Sequence, residues 1–327
     1  MSLLIALFLV LVTAALVASL WNRPGKLRGP ARAGLVLACV LSVLAAAAVE
    51  LNQLTEAYPT AGGVVQPAPA AAATATGSQM LLVRVPGRVS RLDLTMYVYL
   101  PAAYRTGTAK YPVIEALHGY PGSPKKWPSR LAVQSHLDQE ISAGRMPPTI
   151  VVFPWETPQH LLDTECTNLV HGPQAETFVT VDVPAYVKAR YRARPERAAW
   201  GLTGYSAGAF CAINLSLRHP GQYAAAASLS GYSSPGIKIG DGSENTTNNP
   251  GWRLGHLPQP AVALWLGWAA DDKASARESL RLARLARAPL SVTTAVVAHG
   301  GHSDAVWLQM EGPSFDWLAA HLARPAP

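Results

Sequence analysis

From about Leu81 onward, short apolar runs alternate with segments of helical period, and this alternation restricts the fold more than any other feature of the chain. The runs are LDLTMYVYLP, PVIEALHG, TIVVF, RAAWGLTG, YAAAASLSG, AVALWLG and SVTTAVVAHG. Strands that are apolar along their whole length are buried on both faces. We therefore predict an α/β protein whose mostly parallel sheet is covered by helices on both faces and binds ligands at the carboxyl ends of its strands.

The pattern G-x-S-x-G occupies one predicted junction between a strand and a helix. RAAWGLT predicts the strand, GYSAG the turn and AFCAINLSLRH the helix, so Ser206 stands at the corner. A side chain at Gly204 or Gly208 would collide where strand and helix meet, and the helix N-terminus favours negative charge that develops at Ser206. A serine in an ordinary tight turn is the alternative, because the pattern also occurs by chance. The flanking strand and helix favour a nucleophile.

A serine nucleophile needs a base that is oriented by an acid, and in this arrangement the order along the chain is Ser, acid, His. The loop AHGGHSDAVW follows the last predicted strand and contains His299 and His302; we predict His302 as the base because it lies further into the loop. The preceding strand is followed by Asp271 and Asp272. We predict Asp272 as the acid and keep Asp271 as the alternative. The aspartates would otherwise only cap the next helix.

The N–H group that follows the nucleophile, on Ala207, is expected to form one half of an oxyanion hole. The other half is expected in the loop LHGYPGSPKKW, where Tyr120 has an N–H group and Pro121 has none. His118 is expected to support this loop. Candidate walls of a substrate pocket are Trp155, Tyr205 and Trp252, the last within an insertion over residues 232–255 that we expect to overhang the site. Most aromatic residues near a site only pack.

The N-terminus contains two apolar runs with a basic loop between them. Residues 2–20 carry no charge over a length that can cross a bilayer, and residues 33–49 form a second run at the lower limit. The loop over residues 21–32 contains Arg23, Lys26, Arg28 and Arg32. Short basic loops stay on the cytoplasmic side, so both ends of this predicted transmembrane hairpin face the other side of the cell membrane.

This pattern divides the chain into three parts. We predict a transmembrane hairpin over residues 1–52, an Ala/Pro-rich linker over 53–79 and an extracytoplasmic catalytic domain over 80–327 of a multi-pass membrane protein. Cleavage after the second apolar run is an open alternative, because a basic segment, an apolar stretch and AAAAVE resemble a processing site. The first run alone is a poor signal peptide, since its positive charges follow it.

Export also bears on the cysteines. Cys39 lies in an apolar N-terminal run, which leaves Cys166 and Cys211 in the exported domain. Because two cysteines in an oxidising compartment are candidates for a bridge, we predict a disulfide that pins the Cys166 loop beside Ser206. Two buried free thiols are the alternative. No histidine or cysteine spacing predicts a metal site, and no cofactor is expected.

Three stretches resemble the putative esterase family of α/β-hydrolases, which includes esterase D-like enzymes and antigen 85 mycolyltransferases: ETFVTVDVPAYV, GLTGYSAGAFCAINLSLRHPGQYAAAASLSGY and GGHSDAVW. The resemblance covers residues 80–322 and implies the α/β-hydrolase fold, with Ser206 as nucleophile, His302 as base and the DDK loop as the bearer of the acid. Mycolyltransferases carry their acid in a later helix, where this chain has Glu278. This departure favours Asp272 and a hydrolase.

The expected function is that of a membrane-anchored serine esterase that hydrolyses small-molecule or lipid carboxylic esters through an acyl-enzyme. Acyl transfer to a cell-envelope acceptor passes through the same intermediate and stays open. A relative without catalysis that binds envelope glycolipid is the alternative from another class. The net charge of +7 includes the N-terminal loop and scattered arginines, with no dense basic run beside aromatic residues, so nucleic acid is not an expected partner.

Overall fold

The structure is a computed structural model that describes residues 2–21, 28–55 and 77–327. The chain divides into two compact units, residues 1–59 and 60–327. Most of the predicted linker, 53–79, and part of the predicted basic loop, 21–32, lie outside the described residues.

The first unit contains the helices α1 (Ser2–Leu20) and α2 (Arg28–Thr55). Within the described residues, one segment, Arg32–Asn52, is long and apolar enough to cross a membrane, and Val10–Ser19 is a shorter apolar stretch. The prediction of two spans is therefore met by one candidate. The described apolar part of α1 is too short to count as the second.

An eight-stranded sheet forms the centre of the second unit, in the order β1-β2-β4-β3-β5-β6-β7-β8. The strands are β1 (Gln79–Pro86), β2 (Asp93–Leu100), β3 (Val113–Leu117), β4 (Ile150–Pro154), β5 (Trp200–Tyr205), β6 (Ala225–Leu229), β7 (Ala263–Ala269) and β8 (Ser291–Val297). Strands β3 to β8 are parallel, and β1 and β2 pair antiparallel at one edge. The predicted, mostly parallel α/β-hydrolase sheet is confirmed.

The helices of this unit are α3 (Ala103–Thr106), α4 (Lys126–Ser129), α5 (Val133–Ser142), α6 (Ala175–Thr177), α7 (Val183–Arg190), α8 (Ala207–Arg218), α9 (Pro250–His256), α10 (Lys273–Leu285) and α11 (Asp304–His321). The predicted helix over ETFVTVDVPAYV is divided, because a π-helical turn, Phe178–Asp182, separates α6 from α7. The helices cover both faces of the sheet.

Burial along the strands explains this layering. Every residue of β3 to β7 is buried, and neighbours such as Val113 and Ile114 belong to two separate hydrophobic clusters. One cluster includes Leu215 of α8, and the other includes Phe315 of α11. The run SVTTAVV was expected to be buried as well, but β8 lies at the sheet edge and is covered only in part.

Candidate active site

Ser206 lies between the last residue of β5 and the first residue of α8. Its backbone has φ 56° and ψ −120°, a conformation that residues other than glycine rarely adopt. A Cβ atom on Gly204 would lie 2.2 Å from the carbonyl oxygen of Gly208, and one on Gly208 would lie 2.3 Å from that of Leu117. Both glycines are therefore required where strand and helix approach, as the sequence pattern predicts.

Two hydrogen bonds connect Ser206, His302 and Asp272 in series. Nε2 of His302 lies 2.8 Å from Oγ of Ser206, and Nδ1 lies 2.8 Å from Oδ2 of Asp272. The other carboxylate oxygen of Asp272 accepts the backbone N–H of Ser275 at 3.1 Å and caps α10. Asp272 thus orients the imidazole and caps the helix at the same time, through different oxygens.

Hydrogen bonding keeps Asp272 ionised. Burial on its own would raise the pKa of this carboxyl, but hydrogen bonds from Ser275 and His302 outweigh it and hold the pKa below the ordinary value. An ionised carboxylate against Nδ1 of an imidazole is the arrangement by which a Ser-His-Asp triad orients its base.

The alternative acid, Asp271, has a different contact. Its carboxylate accepts the backbone N–H groups of Gly300 and Gly301 at 3.0 and 2.9 Å, and these bonds lower its pKa. Both glycines have positive φ, 130° and 62°, so the chain turns tightly just before His302. Asp271 therefore fixes the loop, whereas Asp272 contacts the ring. His299 is exposed at the start of the same loop.

Glu278 lies in α10, where the mycolyltransferase resemblance placed an acid. Its carboxylate accepts a hydrogen bond from the hydroxyl of Ser233 and pairs with Arg277 at 3.0 Å. Arg281 lies 3.9 Å from Oε2 of Glu278, the oxygen that accepts from Ser233. The carboxylate of Glu278 is thus engaged by these groups and not by His302.

The loop after β3 lies against the nucleophile. A Cβ atom on Gly119 would lie 3.1 Å from that of Ser206 and 2.8 Å from the Tyr205 ring. Among the described residues, the backbone N–H groups of Tyr120 and Ala207 donate to no acceptor, while the hydroxyl of Tyr120 donates to Leu161 at 2.8 Å. These two N–H groups remain our prediction for the oxyanion hole.

A buried glutamate, which sequence reasoning missed, supports this loop. Oε1 of Glu156 accepts the backbone N–H of His118 at 2.6 Å, and Nδ1 of His118 donates to the Gly119 carbonyl at 2.9 Å. Burial lowers the pKa of His118 to about 4 and raises that of Glu156 well above its usual range, so both are neutral. The available signal was the position of Glu156 two residues after β4, at the same sheet edge as Ser206.

The predicted disulfide is present. Cys166 and Cys211 are joined by an S–S bond of 2.04 Å, which ties the loop after β4 to α8 close behind the nucleophile. The Glu156 carboxyl lies 3.2 Å from the Cys166 sulfur. The three side chains form a group with metal-ligating atoms, but the sulfurs are bonded to each other and therefore offer no thiolate.

The three candidate pocket aromatics have different surroundings. Trp155 is half-buried, with its ring 5.3 Å from that of His118 in an edge contact. Tyr205 is 2% exposed and stacks on Trp307 at 4.6 Å, so it forms part of the core beneath the site and not an open wall. Trp252 stacks on His256 of its own helix and lines a groove of about 370 Å³ to which Ser206, Asp272 and His302 do not contribute.

The insertion that carries Trp252 packs on the loop after β4. The Tyr232 hydroxyl donates to Glu165 at 2.6 Å, and the backbone N–H of Gly236 donates to the same carboxyl group at 2.9 Å. Ile239 accepts the N–H of Val170 at 3.0 Å. The insertion and the loop after β4, which carries Cys166, therefore support each other.

Comparisons with known proteins identify the family. Residues 90–323 match the family described as Putative esterase. A curated relative from Corynebacterium glutamicum, uncharacterized protein Cgl0967/cg1104, is 26% identical over 327 residues, covering 87% of this chain and 76% of the relative.

Two solved structures share the fold. A ferulic acid esterase superposes with a TM-score of 0.67 at 21% identity, covering 76% of this chain and 100% of the other. An S-formylglutathione hydrolase from Agrobacterium tumefaciens superposes with a TM-score of 0.64 at 14% identity, covering 76% and 98%. The chain belongs to the Putative esterase family and is an enzyme of carboxylic esters, a hydrolase or an acyltransferase.

Proposed function

We propose that this protein is a membrane-anchored, extracytoplasmic serine esterase that uses Ser206, His302 and Asp272 as its catalytic triad. The observation that carries the proposal is the pair of 2.8 Å hydrogen bonds that run from the serine through both ring nitrogens to the carboxylate. A serine hydroxyl, an imidazole and an ionised carboxylate in this order form an activated nucleophile.

In the first half of the reaction, His302 Nε2 takes the proton of Ser206 while Oγ attacks the ester carbonyl carbon. The negative charge that develops on the carbonyl oxygen is stabilised by the N–H groups of Tyr120 and Ala207. When the tetrahedral intermediate collapses, His302 gives its proton to the departing alcohol, and the acyl group stays on Ser206. Asp272 stabilises the imidazolium between these two transfers.

In the second half, water takes the place of the alcohol. His302 removes a proton from the water as it attacks the acyl-enzyme, and then returns the proton to Ser206 as the carboxylic acid leaves. These steps require no metal or cofactor. Hydrolysis is favoured over a mycolyltransferase-like arrangement because Asp272 holds the imidazole while Glu278 is engaged by Ser233 and Arg277.

Anchoring rests on the N-terminal unit. Arg32–Asn52 is long and apolar enough to cross a bilayer, and the basic residues between the two apolar runs are of the kind retained on the cytoplasmic side. We infer a hairpin over residues 1–52, a linker over 53–79 and a catalytic domain over 80–327 that faces outward. The candidate substrates are then small-molecule or lipid esters outside the cytoplasm.

The test compares the full chain in detergent micelles with its Ser206→Ala variant, using p-nitrophenyl esters of increasing acyl length. We expect turnover by the wild type and a loss of about 10⁴-fold or more in the variant. The matched control is Ser142→Ala, which removes an exposed hydroxyl that donates to Gln139. Unchanged turnover in Ser206→Ala would refute the proposal, and no turnover by the wild type would favour a binding protein.

Water and alcohol compete for the same acyl-enzyme, so acceptor preference is measured in the same assay. Adding a sugar alcohol acceptor and analysing products by mass spectrometry separates free acid from acyl-acceptor. A predominance of free acid supports the esterase, and a predominance of acylated acceptor would assign the protein as a transferase.

A further inference from the structure

A buried lysine lies beneath the site. The side chain of Lys126 is only 9% exposed, and its Nζ lies 2.7 Å from Oδ1 of Asp304. The ammonium also lies 5.1 Å from the ring centre of Trp307 and 5.5 Å from that of Tyr205, within the range of cation–π attraction. A lysine is rarely buried in a folded protein unless it is paired, so this placement has a specific cause.

The groups around this ammonium come from three of the segments that form the site. Lys126 begins α4, just after the loop of Gly119 and Tyr120, and Tyr205 is the residue before the nucleophile. Asp304 begins α11, two residues after His302. Trp307, one turn further, contacts the His302 ring edge-on at 5.3 Å.

We propose that Lys126 is a positioning residue. Its ammonium, paired with Asp304 between the rings of Tyr205 and Trp307, fixes three segments relative to one another. They are the loop of Gly119 and Tyr120 (the oxyanion loop), the corner at Ser206 (the nucleophile corner) and the loop of His302 (the histidine loop). The proposal rests on the function proposed above, and it assigns to Lys126 no contact with substrate. The ion pair acts on the reaction through the place of the oxyanion N–H groups and of the imidazole.

The geometry explains why the two charges must be balanced. Lys126 is nearly inaccessible, and the side chain of Asp304 is 35% exposed, so removing one partner leaves the other charge poorly solvated. Lys126→Met leaves one more negative charge near His302, which favours an imidazolium, and Asp304→Asn leaves one more positive charge, which disfavours it. The two single substitutions therefore push the protonation of the histidine in opposite directions.

Other charged groups near the imidazole stay constant in these variants. Asp272 contacts Nδ1, and Asp271 holds the two glycines of the loop. Other charged or titratable side chains on the segments packed here include His118, Tyr120, Lys125, Arg130, His136, Glu140, Lys273, Glu278, His299, Glu311, Asp316 and His321. None of them is altered, so the direction of a shift reports on the Lys126–Asp304 pair.

The experiment measures kcat and kcat/KM for p-nitrophenyl acetate against pH, with full-chain Lys126→Met, Asp304→Asn and the double variant in detergent. Misplacing the oxyanion loop or base costs transition-state stabilisation, so we expect kcat to fall about 10- to 100-fold in Lys126→Met with KM changed less than threefold. The acid limb is the low-pH side of the kcat/KM profile, on which activity is lost as the base is protonated. Its midpoint is expected to move up by about 0.5 pH unit in Lys126→Met and down by a similar amount in Asp304→Asn.

The double variant has no net charge change at the pair and is expected to restore the acid limb while kcat stays low. Lys126→Arg keeps the charge and is expected to retain the wild-type limb. The matched control is Arg84→Met, which removes one partner of an exposed ion pair with Asp93 and should change neither kcat nor the limb. Melting temperature, measured for each variant, separates these effects from unfolding.

Several outcomes would overturn the inference. Wild-type kcat in a folded Lys126→Met, or shifts of the acid limb in the same direction for both single variants, would show that the pair only stabilises the fold. If Lys126→Met does not fold, the acid limbs of Asp304→Asn and Lys126→Arg decide the question. The inference then fails unless the midpoint moves down in Asp304→Asn and stays at the wild-type value in Lys126→Arg. Failure here with an inactive Ser206→Ala leaves the proposed function intact, whereas an active Ser206→Ala refutes the proposed function itself.

Discussion

The two sides of the site are held together by opposite kinds of chemistry. On the side of the oxyanion loop, a disulfide joins Cys166 to Cys211, and the neutral carboxyl of Glu156 receives a backbone N–H group. On the histidine side, the ionised carboxylates of Asp271 and Asp272 hold an exposed, glycine-rich loop and its imidazole. The first side fixes backbone where water is excluded, and the second keeps charge where the proposed mechanism moves a proton.

The pKa shifts follow this division. Burial raises the pKa of Glu156 far above its usual range and that of Glu165 to about 7. Backbone hydrogen bonds lower the pKa of Asp271, and hydrogen bonds from Ser275 and His302 lower that of Asp272. The number of charge-stabilising hydrogen bonds and the degree of burial, not residue type, decide which carboxyl group is ionised.

The largest expected effect lies within one dipeptide on the histidine side. Asp272→Asn keeps the shape but loses the charge at Nδ1, and kcat should fall about 10⁴-fold. Asp271→Asn weakens only the hydrogen bonds to Gly300 and Gly301, so we expect a fall of about 10-fold. Steady-state kinetics on the two variants side by side measures the difference. Equal losses would contradict the separate tasks assigned to the two aspartates.

A change on the disulfide side should affect stability more than activity. Cys166→Ala with Cys211→Ala opens a bridge of sequence separation 45, which in the chain-entropy treatment lowers the free energy of unfolding by about 4 kcal/mol. Neither sulfur contacts Ser206 or His302, so kcat at 25 °C should fall less than about 10-fold. Thermal unfolding of the detergent-solubilised chain measures the loss.

The control for that experiment is Cys39→Ala, which removes the free cysteine of the N-terminal unit. Its melting temperature should equal that of the wild type. A double alanine variant that melts like the wild type, or that loses activity as fully as Ser206→Ala, would contradict the division of tasks between the two sides.

The smallest expected effect is a pH dependence of stability on the disulfide side. The pKa of Glu165 is about 7 in the folded protein against an ordinary 4.5. Its contribution to the free energy of unfolding is therefore complete below pH 4.5 and is lost as the pH rises to 7. Glu165→Gln stays neutral and should reduce this loss, by at most about 3 kcal/mol. Unfolding measured at pH 4.5 and pH 8 tests it.

The matched control replaces a glutamate at the surface. Glu196→Gln removes a carboxylate whose pKa is lowered by backbone and Arg194 hydrogen bonds, so it should not flatten the curve between pH 4.5 and 7. The same pH dependence in wild type and Glu165→Gln would show that Glu165 is not the group responsible.

Much of this arrangement could be predicted from the sequence, because strand ends and glycines are local signals. G-x-S-x-G at a strand end, a glycine loop after the last strand and the DDK segment identified Ser206, His302 and Asp272 as neighbours at one sheet edge. The disulfide followed from counting cysteines in a domain that was expected to be exported.

The remainder depends on contacts between distant segments. Glu156 lies under the disulfide and Lys126 pairs with Asp304 because loops separated by many residues converge; nothing in either local sequence encodes its partner. Tyr205 was expected in the pocket because it adjoins Ser206, and Trp252 because its insertion was expected to overhang the site, but burial in the core and stacking within α9 place them elsewhere. Aromatic size alone does not distinguish a pocket from a core.

The central claim is that the hydroxyl of Ser206 is the nucleophile activated by His302, and the most direct test is the site of a covalent adduct. The full chain is treated with a fluorophosphonate and mapped by peptide mass spectrometry, beside Ser206→Ala and His302→Ala. The account predicts one adduct on the peptide that contains Ser206, absent from Ser206→Ala and formed far more slowly in His302→Ala. An adduct on another serine, or equal labelling in His302→Ala, would contradict it.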